Sequence, residues 1–226
     1  MFKKIAIPAF LAILLMLAFY AKRNFFKPQQ SHIKVKKEGK FLLNHEELRN
    51  GDLIFQVSQS SQSKAIQSAT KSKYSHCGII FNDLNKIYVL EAIQPVKKTL
   101  FENWIAKVQD GHFVIKRLKN AEQILTPEVL KKMHRIENQF MGRNYDLTFE
   151  WSDDKIYCSE LIWKIYKRAA DIEIGQLQKL SNFDLSNEVV KDKIRERYGS
   201  QIPLDESVIS PVAIFESDLL ETITVK

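Results

Sequence analysis

The chain has 226 residues, 45% of them hydrophobic and 27% charged, and a formal net charge of +7. These figures fit one ordinary folded domain with extensions and exclude global disorder. A surplus of +7 spread over a fold would suggest nucleic acid or anionic lipid. Here residues 1–40 carry nine of the 34 Lys/Arg and one of the 27 acids, an arm of +8, which leaves 25 basic and 26 acidic residues, or −1, for the remainder. No basic patch with interleaved aromatics occurs in that remainder, so nucleic acid is not an expected partner.

Two cysteines exclude a disulfide scaffold and a Cys-based zinc site. No glycine-rich phosphate loop is present. The five histidines form no HExxH or HxxxH pair, so the sequence carries no metal signature and implies no cofactor.

The arm contains seventeen uncharged residues, Ile5 to Ala21, preceded by Lys3 and Lys4 and followed by Lys22 and Arg23. That length is the short end of what spans a bilayer. A signal-anchor is expected over a cleaved signal peptide, because Ala18 and Ala21 are three apart and give no small-x-small cleavage triplet. Residues 22–40 read as a basic tether. The denser charge after the run favours a cytoplasmic domain by the positive-inside rule, while the short basic head is equally typical of an exported protein. The side of the membrane stays open. The folded domain is expected over 41–226.

Asn44 to Asn50 resembles a short capped turn of helix. Asp52–Val57 is a strand candidate. Ser60–Thr70 carries Ala65, Ile66 and Ala69 on one stripe and predicts an amphipathic helix. His76–Phe81 and Lys86–Ile93 read as strands joined at Asn82–Asn85, which is turn chemistry, so a hairpin is expected. Phe101–Val108 suggests a helix and His112–Leu118 a strand. Thr126-Pro127-Glu128 starts a helix that Gly142 ends. Cys158–Arg168 is a second strong helix, and Glu188–Arg197 a charged one expected to carry i,i+4 pairs. Lys116, Arg117 and Lys119 read as a solvated strand end. No repeat or low-complexity tract divides the domain.

Cys158 opens its helix, with Leu161, Ile162, Ile165 and Tyr166 completing the buried stripe. Free N–H groups and the positive helix end lower a thiol pKa there and can stabilise an oxyanion. A free cysteine taken alone is more often a small core hydrophobe. A thiol nucleophile also needs a base with an orienter. If Phe81 and Lys86 close the hairpin, His76 lies directly across from Glu91 on one face. Glu91 interrupts the apolar strand Ile87–Ile93, where a carboxylate is usually paired. Cys77 then faces the opposite side and reads as core.

Three stretches, Asn50-Gly-Asp-Leu-Ile-Phe55, Tyr74-Ser-His-Cys-Gly-Ile-Ile80 with Val89-Leu-Glu-Ala92, and Gly142-Arg-Asn-Tyr-Asp146 with Tyr157-Cys-Ser-Glu-Leu161, give the sequence its likeness. It resembles the circularly permuted branch of the papain-like NlpC-type hydrolases, the YiiX-like group, over about residues 45–220. The resemblance implies an α+β fold, an antiparallel sheet packed against helices, here preceded by one N-terminal transmembrane or signal-anchor helix. It implies a Cys158–His76–Glu91 triad in permuted chain order, with Tyr145, Asp146 and Tyr157 lining the substrate site. The expected enzyme is a membrane-anchored or exported thiol hydrolase of the bacterial cell envelope, a peptidase or amidase working through an acyl-enzyme on peptide or cell-wall amides. A lipid thioesterase or acyltransferase using the same triad is the alternative. A non-catalytic binding module would be favoured only by a missing triad member, and none is missing.

Overall fold

The structure, a computed structural model, describes residues 47–225 except 59, 84 and 85. These residues fall in the compact unit Asn44–Lys226. The apolar run 5–21, the tether 22–40 and residues 44–46 of the expected 44–50 turn lie outside the described residues. Among the described residues no helix is long and apolar enough to cross a membrane.

The strands are β1 (Leu53–Gln56), β2 (His76–Asp83), β3 (Lys86–Glu91), β4 (Lys97–Leu100), β5 (Phe113–Leu118), β6 (Asn144–Tyr145), β7 (Lys155–Ile156), β8 (Gln178–Lys179), β9 (Ser207–Val208) and β10 (Leu220–Val225). The helices are α1 (Ser61–Thr70), α2 (Phe101–Ile105), α3 (Ala121–Ile124), α4 (Pro127–Phe140), α5 (Cys158–Ala170), α6 (Glu188–Tyr198) and α7 (Pro211–Phe215). One six-stranded sheet, in the order β10-β5-β1-β2-β3-β4, is antiparallel throughout. The strands β4 and β10 were not apparent from the sequence pattern. The first is Lys-Lys-Thr-Leu, too short and too basic to show alternation, and the second, Leu-Glu-Thr-Ile-Thr-Val, pairs with β5 about a hundred residues earlier in the chain.

Capping chemistry sets the helix starts. The Ser60 hydroxyl accepts the Ser63 N–H at 3.1 Å to open α1, and the Thr126 hydroxyl accepts the Val129 N–H at 3.3 Å to open α4. Such caps satisfy N–H groups that have no partner inside the helix. Beyond the end of α4, Gly142 takes φ +78°, which suits glycine.

The β2–β3 hairpin corrects the expected register. Asp83 lies opposite Lys86, Ile80 opposite Val89 and Ile79 opposite Leu90. Asn82 and Asp83 therefore belong to the strand and not to the turn. The Asn50 side-chain oxygen accepts the Asn82 N–H at 2.6 Å and supports this longer strand. A two-residue difference leaves every side chain on its face. His76 and Glu91 still share a face, but as diagonal neighbours and not as direct opposites.

The helices α4 and α5 pack together on one side of the sheet. Leu53, Phe55, Cys77, Ile79 and Phe81 meet Met133 and Phe140 of α4 and Leu161, Ile165 and Tyr166 of α5 in one buried cluster. The α5 stripe thus buries as its spacing predicts. The opposite sheet face is also buried, at Ile54, Ile80, Val89 and Ile115.

Two surface expectations change. Lys116 and Arg117 are not a solvated strand end. The Arg117 guanidinium holds both oxygens of buried Asp52 at 2.7 Å, and Lys116 is buried with its ammonium 4.6 Å from the centre of the Phe215 ring. The charge pairs of α6 run i,i+3, as in Glu188–Lys191 and Lys193–Glu196. Asp52 also accepts the Arg49 N–H at 2.9 Å. Breaking a buried pair strands the remaining charge, so Asp52→Asn should cost about 3 kcal/mol in urea denaturation. A loss near zero would show that the pair contributes nothing to the sheet.

Candidate active site

Cys158 is the first residue of α5 and His76 the first of β2. Packing of α5 on the sheet brings the two starts together. The helix start is held from two sides. The Ser159 hydroxyl donates to the Ile209 carbonyl at 2.8 Å, and the Ile209 N–H donates to the Tyr157 hydroxyl at 3.0 Å. The Glu160 carboxylate accepts the Tyr157 N–H at 3.4 Å and lies 2.7 Å from the Lys164 ammonium.

His76 Nε2 lies 2.8 Å from Glu91 Oε2. Glu91 is buried and has two further donors: the Thr99 hydroxyl at 2.6 Å and the Trp104 indole N–H at 2.9 Å. Thr99 reaches Glu91 as a diagonal neighbour across β3 and β4, since it pairs with Val89. The Trp104 ring also stacks on the imidazole, with centroids 6.2 Å apart. Sequence reasoning missed both residues. Each becomes visible only once β4 and α2 are in place.

With Nε2 on Glu91, the other ring nitrogen is left for Cys158, to which His76 is hydrogen-bonded. Burial alone would lower the imidazole pKa; hydrogen bonds and charge from Cys158 and Glu91 override it and raise it to about 10. The Cys158 thiol is held well below the ordinary thiol range. The Cys77 side chain is the first cause, burial opposes it, and His76 and the Cys77 backbone N–H add to the lowering. Burial pushes the Cys77 thiol well up, so it stays protonated and can donate. Burial would raise the Glu91 carboxyl, but the bonds from His76, Thr99 and Trp104 bring it below its usual value. Both directions favour a thiolate beside an imidazolium.

Cys77 faces away from His76, as the alternation requires, and is fully buried. That face carries α5, so Cys77 meets Cys158 directly. The reading of Cys77 as core filler is therefore incomplete.

Two cavities meet at the site. An apolar one, open to solvent, includes Cys158, Tyr145 and Tyr157 in its lining. A second, with a mixed lining in which Ser58, Ser60 and Gln56 stand beside Ile93 and Leu147, contains His76, Glu91 and, again, Tyr145. Gln62 lines both and donates to the Tyr145 hydroxyl at 2.8 Å. Burial and the nearby Cys158 charge raise the Tyr145 phenol. Asp146 lines neither cavity. Its carboxylate instead accepts the Thr148 N–H at 2.8 Å and hydroxyl at 2.9 Å, fixing the loop after Tyr145. Among the described residues no group of three or more His, Cys, Asp and Glu side chains is arranged to hold a metal ion.

The family described as permuted papain-like amidase enzyme, YaeF/YiiX, C92 family, matches residues 47–224. The chain belongs to this family. It is a papain-like cysteine hydrolase of the amidase and peptidase type. The chain is 45% identical over 175 residues to the uncharacterized protein YiiX of Escherichia coli K12, covering 77% of this chain and 85% of that protein. It is also similar to the crystal structure of metalloprotein yiiX from Escherichia coli O157:H7, with a TM-score of 0.75, 46% identity, and coverage of 79% of this chain and 97% of that one.

The paired shifts give a pH signature. A depressed thiol pKa keeps Cys158 ionised below the ordinary thiol range, and the raised imidazole pKa keeps His76 charged until pH passes about 10. Alkylation of Cys158 by iodoacetamide should therefore stay fast at pH 6.5, where an unperturbed thiol with a pKa of about 8.5 reacts slowly. Glu91→Gln and Cys77→Ala should each move the acid limb upward, with a drop of about tenfold at pH 6.5. An ordinary thiol profile in the unaltered protein would refute the ion pair.

Proposed function

We propose that the chain hydrolyses amides through a Cys158–His76–Glu91 triad and an acyl-enzyme. The observation that carries this reading is the continuous hydrogen-bond path from the Cys158 thiol through His76 to the buried, triply bonded Glu91.

The Cys158 thiolate attacks the carbonyl carbon. A C–S bond forms and the carbonyl electron pair moves to oxygen. The Cys158 backbone N–H, at the positive end of α5, faces that developing charge. The C–N bond then breaks, and the nitrogen leaves with the imidazolium proton of His76. Neutral His76 takes a proton from water, whose oxygen attacks the thioester; the acid departs and the thiolate is restored. Glu91 keeps one ring nitrogen bound and stabilises the imidazolium, the part of the third member in such triads.

The solved relative is called a metalloprotein. The residues here do not fit a metal: Glu91 is taken by His76, Thr99 and Trp104, and His76 by Glu91 and Cys158. The steps above use the chain's own side chains alone. The same proposal includes a tether. The seventeen-residue apolar run with its basic flanks supports an enzyme held at a membrane of the cell envelope.

His76→Ala should lower amide turnover by about 10²- to 10⁴-fold. Mass spectrometry of the quenched protein should find an acyl group on Cys158 that is absent in Cys158→Ala. Amide turnover that survives Cys158→Ala would sink the reading.

A further inference from the structure

The chain has two cysteines, and they meet. Cys158 opens α5, and Cys77 is the second residue of β2. Both lie in the one buried cluster where α5 packs on the sheet. The Cys158 sulfur is held twice by Cys77, once by its thiol and once by its backbone N–H. The amide chemistry proposed above uses Cys77 only as a donor. A second thiol in contact with a thiolate can also form a bond to it.

The two sulfurs differ in what reaches them. Cys158 lines a cavity open to solvent, so a small oxidant can arrive there. Cys77 is fully buried and lines neither cavity of the site. Oxidation follows thiolate character and access, and Cys158 has both. A sulfenic acid formed on Cys158 then has two fates. A neighbouring thiol turns it into a reducible disulfide, whereas more peroxide turns it into a sulfinic acid that thiols do not reverse. The one other thiol of the chain, Cys77, is already in contact with it.

We propose that Cys77 is a resolving cysteine, which converts hydroperoxide-oxidised Cys158 into a Cys77–Cys158 disulfide and keeps the nucleophile recoverable by a dithiol. The Cys158 thiolate attacks one peroxide oxygen. An S–O bond forms, the O–O bond breaks, and the departing oxygen takes the imidazolium proton of His76. The Cys77 sulfur then attacks the Cys158 sulfur. An S–S bond forms, the S–O bond breaks, and the hydroxide leaves as water with the Cys77 proton. Two thiols are oxidised and one peroxide is reduced. A dithiol entering the open cavity reverses the step by exchange.

The first step prepares the second. Burial is the first cause that keeps Cys77 protonated, and the bond to Cys158 and its negative charge add to it. The last two weaken once the thiolate has become a neutral sulfenic acid. Closing an S–S bond of about 2.0 Å then shortens a contact that already exists. No step needs an amide, so loss of the amidase reading would leave this chemistry untouched.

The test exposes the full chain, in non-ionic detergent, to a small excess of hydrogen peroxide. Intact mass, peptide maps and alkylation of Cys158 by iodoacetamide are read before and after treatment with dithiothreitol. The unaltered chain should lose two hydrogens, consume about one peroxide per chain and yield a Cys77–Cys158 cross-linked peptide. Dithiothreitol should restore at least about nine-tenths of the alkylation. Cys77→Ser keeps a hydroxyl donor and cannot close the bond. Its Cys158 should gain two oxygens, and dithiothreitol should restore less than about a tenth of the alkylation. Cys77→Ala serves the same purpose if the serine variant does not fold, and the result on the unaltered chain needs neither. Dimedone should label Cys158 in the variants and not in the unaltered chain. An unaltered chain that stays reduced, gains two oxygens or cross-links only between molecules would overturn the assignment. So would equal recovery in Cys77→Ser.

Discussion

The site depends on a carboxylate kept ionised inside a sheet. An isolated buried carboxylate would take up a proton sooner than remain charged. Glu91 avoids this with three donors from three separate elements: His76 at the start of β2, Thr99 in β4 and Trp104 in α2. Its charge then holds a proton on His76, in a place where burial alone would remove it. The imidazolium in turn favours the thiolate. Gly78 belongs to the same arrangement. Continued by one step, the register puts it opposite Glu91, and a Cβ there would come within 2.7 Å of the Leu90 carbonyl and 2.5 Å of a Val89 methyl. The close approach of β2 and β3 that sets the His76–Glu91 diagonal therefore requires glycine.

Cys158, the nucleophile of the proposed triad, is served from both faces of one strand. Side chains alternate along β2, so His76 and Cys77 point to opposite sides. Only at a strand end can both reach the same atom, and β2 begins at His76. The β2–β3 ladder stops short of Cys77, leaving its N–H for the Cys158 sulfur. The positive start of α5 completes the set. The position of Cys158 is thus defined by where the sheet stops and where the helix begins, which are both sequence-encoded boundaries.

Those boundaries explain what could be read in advance. Periodicity exposed α5 because Leu161, Ile162, Ile165 and Tyr166 repeat at helical spacing, the stripe of Ala65, Ile66 and Ala69 exposed α1, and Thr126-Pro127-Glu128 exposed the start of α4. Glu91 stood out because a carboxylate interrupts an apolar strand. The register did not, since Asn82-Asp83-Leu84-Asn85 carries turn residues and only the distant Asn50 commits Asn82 to the strand. The His76–Glu91 pairing survived because side-chain direction has a period of two and the difference was two. Thr99, Trp104 and the role of Cys77 depend on β4, α2 and α5 docking, which no local window contains. Asp146 shows the converse. Its neighbour Tyr145 lines both cavities, while Asp146 stabilises the loop that presents it.

The chain order divides the labour of the site. The cavity beside His76 is built mainly from segments that precede Cys158, the turn after β1, the start of α1 and the end of β3. One wall of the apolar cavity over Cys158 comes from segments that follow it, Leu180, α6 and Val208–Ile209. The outer face of α6 carries paired charges, so its contribution to stability lies in the face it turns to α1. A wall of this kind can change without disturbing Glu91 or its donors. The two cavities also differ in lining: the one over Cys158 is apolar, whereas Ser58, Ser60, Gln56 and Lys107 stand among Ile93, Trp104 and Leu147 beside His76. On the proposed amidase reading the leaving amine takes its proton from His76 and departs through that mixed cavity, so this side of the site has to accept a polar group.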